Sequence, residues 1–127
     1  MAVTLNKKAF DHAKQLVEEG KSVSDRRDAW SKHQPSTQSE NAFIRENGFE
    51  EYAKWYLGTN DEKPANTKGR YEFPYGDFEK IHRCGVLTVE SRAGQYKHRE
   101  IELAAAHLHG MIDRRKPEGL RARKAHG

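Results

Sequence analysis

The chain has 127 residues, which sets one domain as the expectation, and no apolar run approaches the ~18 residues of a membrane span. Hydrophobic residues make up 35% and charged residues 33%, with a mean hydropathy of −1.06, a composition near that of disordered chains. The net charge is +4, yet from Arg114 onward six basic residues face one acid, so the tail carries +5 and the body −1, which speaks against a folded nucleic-acid-reading face.

Five Phe, five Tyr and two Trp, together with apolar residues at helical spacing, support a modest core. The opening Met1–Lys8 lacks the layout of a secretory signal. A single cysteine, Cys84, cannot form an internal disulfide. Cytoplasm is therefore the expected location, with no membrane contact.

The first predicted helix runs from about Asn6 to Glu19, where Ala9, Phe10, Ala13, Leu16 and Val17 form one stripe and Gly20 suits the position past the end. Ser22 to His33 predicts a short helix or turn pinned by Trp30, broken by Gln34-Pro35-Ser36. Thr37-Gln38-Ser39-Glu40 fits a capping box, opening a helix to Asn47 that stops at Gly48. A second helix is expected at once, with Phe49, Tyr52, Ala53 and Tyr56 on one stripe and Gly58 as its end; Trp55 lies off that stripe. Residues 59–69 read as a surface loop.

Arg70 to Gly76 is aromatic and carries Pro74, so it cannot be an interior strand. It reads as an extended clasp in which Phe73 enters the core and Tyr75 stays near the surface. Asp77 is expected to cap a helix from Phe78 to about Gln95, in which Gly85 marks a close approach. A turn at Tyr96-Lys97-His98 leads to a last helix, Arg99 to Asp113, striped by Ile101, Ala104, Ala105, Leu108 and Ile112. The predicted fold is all-α: a single domain over 1–113 with four to five helices, a C-terminal antiparallel helical hairpin, and a disordered basic tail over 114–127.

Catalytic and metal motifs are absent at the level of spacing. His107 and His109, like His82 and Cys84, are two apart, which on a helix places them about 200° apart, unable to share an ion. Glycines form neither a dinucleotide nor a phosphate loop. No catalytic residue, cofactor or metal is therefore expected. The stretch Lys68 to Arg83 interleaves Lys68, Arg70, Lys80 and Arg83 with Tyr71, Phe73, Tyr75 and Phe78, a pattern that can bind single-stranded nucleic acid but reads more readily as rings closing a core, with the cations on its solvated rim or paired with Glu72, Asp77 and Glu79. Further basic residues, Arg92, Lys97, His98 and Arg99, surround the last interhelical turn.

This stretch resembles a family of small uncharacterised bacterial proteins. They share W-Y-L-G, then T-K-x-x-Y-x-F-P-Y-G-D-F, then a helix with S-R-A and another with A-A-x-H-L, here Trp55–Gly58, Thr67–Phe78, Ser91–Ala93 and Ala105–Leu108. A looser likeness (T-K-x-x-Y-x-x-P, then a helix pair) joins it to short segments found near phage capsid-maturation proteins. The resemblance implies a class without an activity. The functional expectation is a non-enzymatic protein-interaction module that docks a partner or self-associates, with Trp30, Trp55, Tyr56, Arg70, Tyr75 and Arg83 as candidate contact residues. The alternative is weak nucleic-acid binding through the basic tail and the Lys68–Arg83 region.

Overall fold

The computed structural model of the chain describes residues 3–115. In chain order it comprises β1 (Val3–Leu5), α1 (Lys7–Glu18), β2 (Ser22–Val23), a 3-10 turn (Arg27–Ala29) running into α2 (Trp30–His33), and α3 (Thr37–Ala53). Then come β3 (Tyr56–Asn60), a 3-10 turn (Lys68–Arg70), β4 (Tyr71–Pro74), β5 (Ile81–His82), α4 (Arg83–Gln95) and α5 (Arg99–Arg115). The all-α helical-bundle expectation is thus corrected to a mixed α/β fold. β1, β3 and β4 form an antiparallel sheet in that order, and β2 pairs in parallel with β5.

The helices that the stripes announce are present. α1 buries Ala9, Ala13, Leu16 and Val17, and α5 buries Ile101, Ala104, Ala105, Leu108 and Ile112. α4 and α5 form the expected hairpin, whose turn satisfies the last carbonyls of α4: Lys97 donates its amide to Gly94 and His98 to Ala93. Gly48, at φ 85 and ψ 169, separates the two helical stretches of α3. The cap of α3 sits one residue earlier than expected, because the Ser36 hydroxyl accepts from the Ser39 amide at 3.0 Å. Glu40 is thereby released to bind the Tyr56 hydroxyl at 3.2 Å.

Three expectations fail between residues 54 and 82, each for a local backbone reason. The helix expected to reach Gly58 ends at Ala53, and Tyr56–Asn60 becomes the central strand of the sheet. Gly58 is there a packing requirement: a Cβ on it would sit 2.9 Å from the Phe73 ring and 3.2 Å from Ile101 and Val3.

Asp77 does not open a helix. Its Oδ1 accepts from the amides of Glu79 and Lys80 at 2.9 and 2.7 Å, and its own amide donates to the Lys80 carbonyl. Phe78 has φ 71, a left-handed conformation that no helix accommodates, so residues 77–80 form a tight turn and α4 starts at Arg83.

The clasp is inverted. Phe73 has φ 67, which breaks the alternation assumed for an extended chain. Tyr75, not Phe73, is fully buried, while Phe73 is half-buried with its ring edge-on to His98. β4 is an edge strand that Pro74 closes, the position a residue without an amide donor tolerates.

Arg114 and Arg115 belong to α5, and the remainder of the expected tail lies outside the described residues.

Candidate functional site

The candidate contact residues divide by burial and by charge pairing. Trp30, Trp55, Tyr56 and Tyr75 are core residues, the most exposed of them Trp30 at 8%. Trp55 stacks on Tyr75 and meets Phe78 edge-on. Trp30 touches the helix at Gly85, where an added Cβ would lie 2.8 Å from its ring and 2.8 Å from the Tyr75 carbonyl. The close approach that Gly85 marks is therefore to the ring at the start of α2 and to the strand end at Tyr75. These four aromatics do not form an exposed patch.

Three of the four cations of the Lys68–Arg83 stretch are paired, and Lys80 is exposed. Lys68 binds Glu40 at 3.2 Å and Arg70 binds Asp61 at 3.3 Å. Arg83 ties the start of α4 to the end of α5 through Asp113 at 2.8 Å. The Tyr75 ring is thus unavailable for stacking, while Lys80 and, around the last interhelical turn, Lys97 and Arg99 stay exposed.

The exposed apolar surface lies elsewhere. Among the described residues the large exposed hydrophobics are Tyr96, 59% exposed, and Leu103, 55% exposed. They flank a groove of about 480 Å³ lined by Val3, Thr4 and Leu5 on one side and by residues 96–101 on the other. Leu5 and Glu100 also border the adjoining shallow depression around Phe10 and Leu103. Successive strand residues point to opposite faces, so a groove that touches all three residues of β1 runs along its edge.

That edge is unpaired, since β1 ends the sheet and its one partner among the described residues is β3. Asn6 donates its amide to the Leu57 carbonyl at 2.8 Å. Antiparallel pairs alternate between bonded and non-bonded positions, so Thr4 faces β3 and the backbone groups of Val3 and Leu5 face the groove. Opposite stand Lys97, His98 and Arg99. Among the described residues neither Lys97 nor Arg99 has a carboxylate partner, and both are exposed. Lys97 holds φ 63 at the position past a helix end that glycine or asparagine normally fills.

The sequence marks Lys97, His98 and Arg99 as part of a basic cluster but gives little sign of Val3–Leu5, Tyr96 and Leu103. The alternation Val-Thr-Leu before α1 is the one available signal, and it is three residues long.

A second constellation is buried under α2. His82 is 3% exposed, and its Nδ1 lies 2.7 Å from Asp25 Oδ2 and its Nε2 2.8 Å from Asp77 Oδ2. Asp25 Oδ1 accepts the Cys84 amide at 2.8 Å. Burial pushes both carboxyls up, but hydrogen bonds from His82 and from backbone amides outweigh it and hold Asp25 and Asp77 below the ordinary carboxylate value. Burial first, and then the Asp25 carboxylate, push the Cys84 thiol up to about 12, so it is no free nucleophile.

The expectation that His82 and Cys84 diverge is corrected here. It assumed both on a helix, whereas His82 is in β5 and only Cys84 is in α4. Asp25 was not singled out, and no spacing rule links it to residue 82.

On the opposite side of the sheet's end, His12 Nδ1 lies 3.1 Å from the Tyr75 hydroxyl, which donates to the Lys54 carbonyl at 2.6 Å. Burial lowers the His12 pKa, with the Lys54 carbonyl hydrogen bond opposing it.

No protein-family model, no curated protein and no solved structure matches this chain. Among the described residues no helix is long and apolar enough to cross a membrane.

Proposed function

We propose that the protein is a non-enzymatic interaction module that captures an extended, acidic segment of a partner protein by adding it as a strand along β1, and that it does so in the cytoplasm. The observation that carries this reading is the unpaired β1 edge facing Lys97 and Arg99, with Glu100 beside them, across the groove. An added strand takes its affinity from main-chain hydrogen bonds and its specificity from pockets for alternate side chains. Val3 and Leu5 supply the first. Tyr96 and the Leu103 depression supply the second. Lys97 and Arg99 favour a carboxylate-bearing segment and disfavour a second copy of this chain, which would bring like charges together.

The test is fluorescence anisotropy with a labelled peptide in which Val or Thr alternates with Glu. Saturable binding is expected, weakened by salt and reduced at least tenfold by Lys97→Glu combined with Arg99→Glu. Equal binding of a peptide carrying Pro at alternate positions, or of a single-stranded oligonucleotide, would reduce the groove to a general polyanion surface and contradict strand capture.

A further inference from the structure

The cluster under α2 has a chemistry that strand capture does not use. One ligand atom each from Asp25, His82 and Cys84 lies within 4.8 Å of the others. The three come from two segments 57 residues or more apart in sequence, joined where β2 runs beside β5. His33 completes the surroundings: its Nε2 is 3.7 Å from Asp25 Oδ2, and its ring stacks on that of His82 at 4.7 Å.

We propose that Asp25, His82 and Cys84 form a zinc-type metal site with three protein ligands and a fourth position left for water.

The donor set suits that ion. Imidazole, carboxylate and thiolate in four-coordinate arrangement are what Zn²⁺ takes, and hard cations such as Mg²⁺ or Ca²⁺ do not take sulfur. Bonds of roughly 2.0–2.3 Å in a tetrahedron hold ligand atoms about 3.3–3.7 Å apart. The 2.7 Å contact between His82 and Asp25 must therefore open by less than an ångström, and separations of up to 4.8 Å must close by at most about 1.5 Å.

The outer shell fits as well. His82 Nε2 is held by Asp77 Oδ2 at 2.8 Å, and Asp77 is in turn fixed by two backbone amides. A carboxylate that receives the far N–H of a ligating histidine is the partner that orients metal-bound imidazole. Nδ1 is thereby the nitrogen that faces the other donors.

Access is from the His33 side, whose side chain is 40% exposed above an Asp25 side chain that is 11% exposed. Metal entry exchanges protons for the ion. The Cys84 thiol gives up its proton to become thiolate, and His82 offers Nδ1 to the ion while Nε2 stays on Asp77. Neither step involves electron transfer. A thiol inert as a nucleophile is a competent ligand here because the cation replaces its proton outright.

The experiment is titration of the full chain with Co²⁺, a spectroscopic substitute for zinc, followed by displacement with Zn²⁺. Saturation at one equivalent is expected, with visible bands of tetrahedral cobalt and a near-ultraviolet sulfur-to-cobalt charge-transfer band, both lost when Zn²⁺ is added. Cys84→Ser should remove the charge-transfer band. Asp25→Asn, which keeps the side-chain shape, should weaken cobalt binding by tenfold or more. Absence of a charge-transfer band in the unaltered protein would overturn the proposal without recourse to any variant. So would a charge-transfer band that Cys84→Ser leaves unchanged.

Discussion

The α4–α5 hairpin and the segment from Tyr71 to His82 differ in how they obtain their shape. The hairpin takes its shape from repetition: small and branched apolar residues recur along one side of each helix, and any of several neighbours can enforce the same packing. The segment takes its shape from single residues. Phe73 and Phe78 are left-handed, Asp77 closes a turn with one carboxylate, and Tyr75 is anchored by one hydroxyl. Repeated patterns are robust and visible in a sequence. Single-residue devices are neither, and both candidate sites depend on them, since the segment positions His82 and the turn at Lys97 forms the groove wall.

Substitutions can break or sharpen that contrast. The largest effect is expected for Tyr75→Ala, which removes a fully buried ring and should lower stability by about 3–5 kcal/mol, read from a denaturant midpoint. Tyr75→Phe keeps the ring but leaves the Lys54 carbonyl without that donor, and should still lower it by about 1–2 kcal/mol.

Gly85→Ala follows. Alanine is the better helix former by about 1 kcal/mol, yet its Cβ would lie 2.8 Å from the Tyr75 carbonyl and from Trp30. A net loss of roughly 1–3 kcal/mol is expected from overpacking. A gain in stability would show that the segment yields to α4. Phe73→Ala, at a half-buried ring, should lower stability by only about 1 kcal/mol; a loss equal to that of Tyr75→Ala would restore the uninverted clasp.

Lys97→Gly has the opposite sign. Removing the side chain from a left-handed position should relieve about 1 kcal/mol, partly offset by the freedom glycine gains in the unfolded chain, while peptide binding at the groove weakens.

The smallest effect is that of pH on His12. Its folded pKa lies below the ordinary 6.5 because burial disfavours the charged ring, so the folded state holds fewer protons than the unfolded one. The stability His12 contributes is therefore complete above about pH 6.5 and is lost as pH falls through its folded pKa. The groups around it are Lys54, Glu51, Glu19 and Tyr75. Asp25 and Asp77 titrate below the ordinary carboxylate value, in a separate and more acidic window. His12→Gln should flatten a denaturation profile measured from pH 7 to 5.

These contrasts account for what the sequence disclosed. The stripes of α1 and α5 and the stop at Gly48 follow from periodicity and turn chemistry, which act over a few residues; the loop expected at 59–69 begins only after Asn60, because Thr59 and Asn60 belong to β3. The sheet does not: β1 pairs with β3 more than fifty residues away, and Tyr56 reads as helix until Gly58 is seen wedged between Phe73, Ile101 and Val3. Aromatic surplus suggested an exposed patch because Trp55 lay off its stripe. In the fold a second wall of aromatics, Tyr75 and Phe78, covers it. Of the groove, only the cations at 97–99 were visible; of the buried cluster, the pairing of Asp25 with His82 had no local signature.

The most direct test of strand capture is amide hydrogen exchange at β1, measured by NMR with and without the acidic alternating peptide. The account predicts that exchange slows at Val3 and Leu5, whose amides face the groove, and stays unchanged at Thr4, whose amide already faces β3. Binding that protects none of the three, or that protects Thr4 alone, would contradict it.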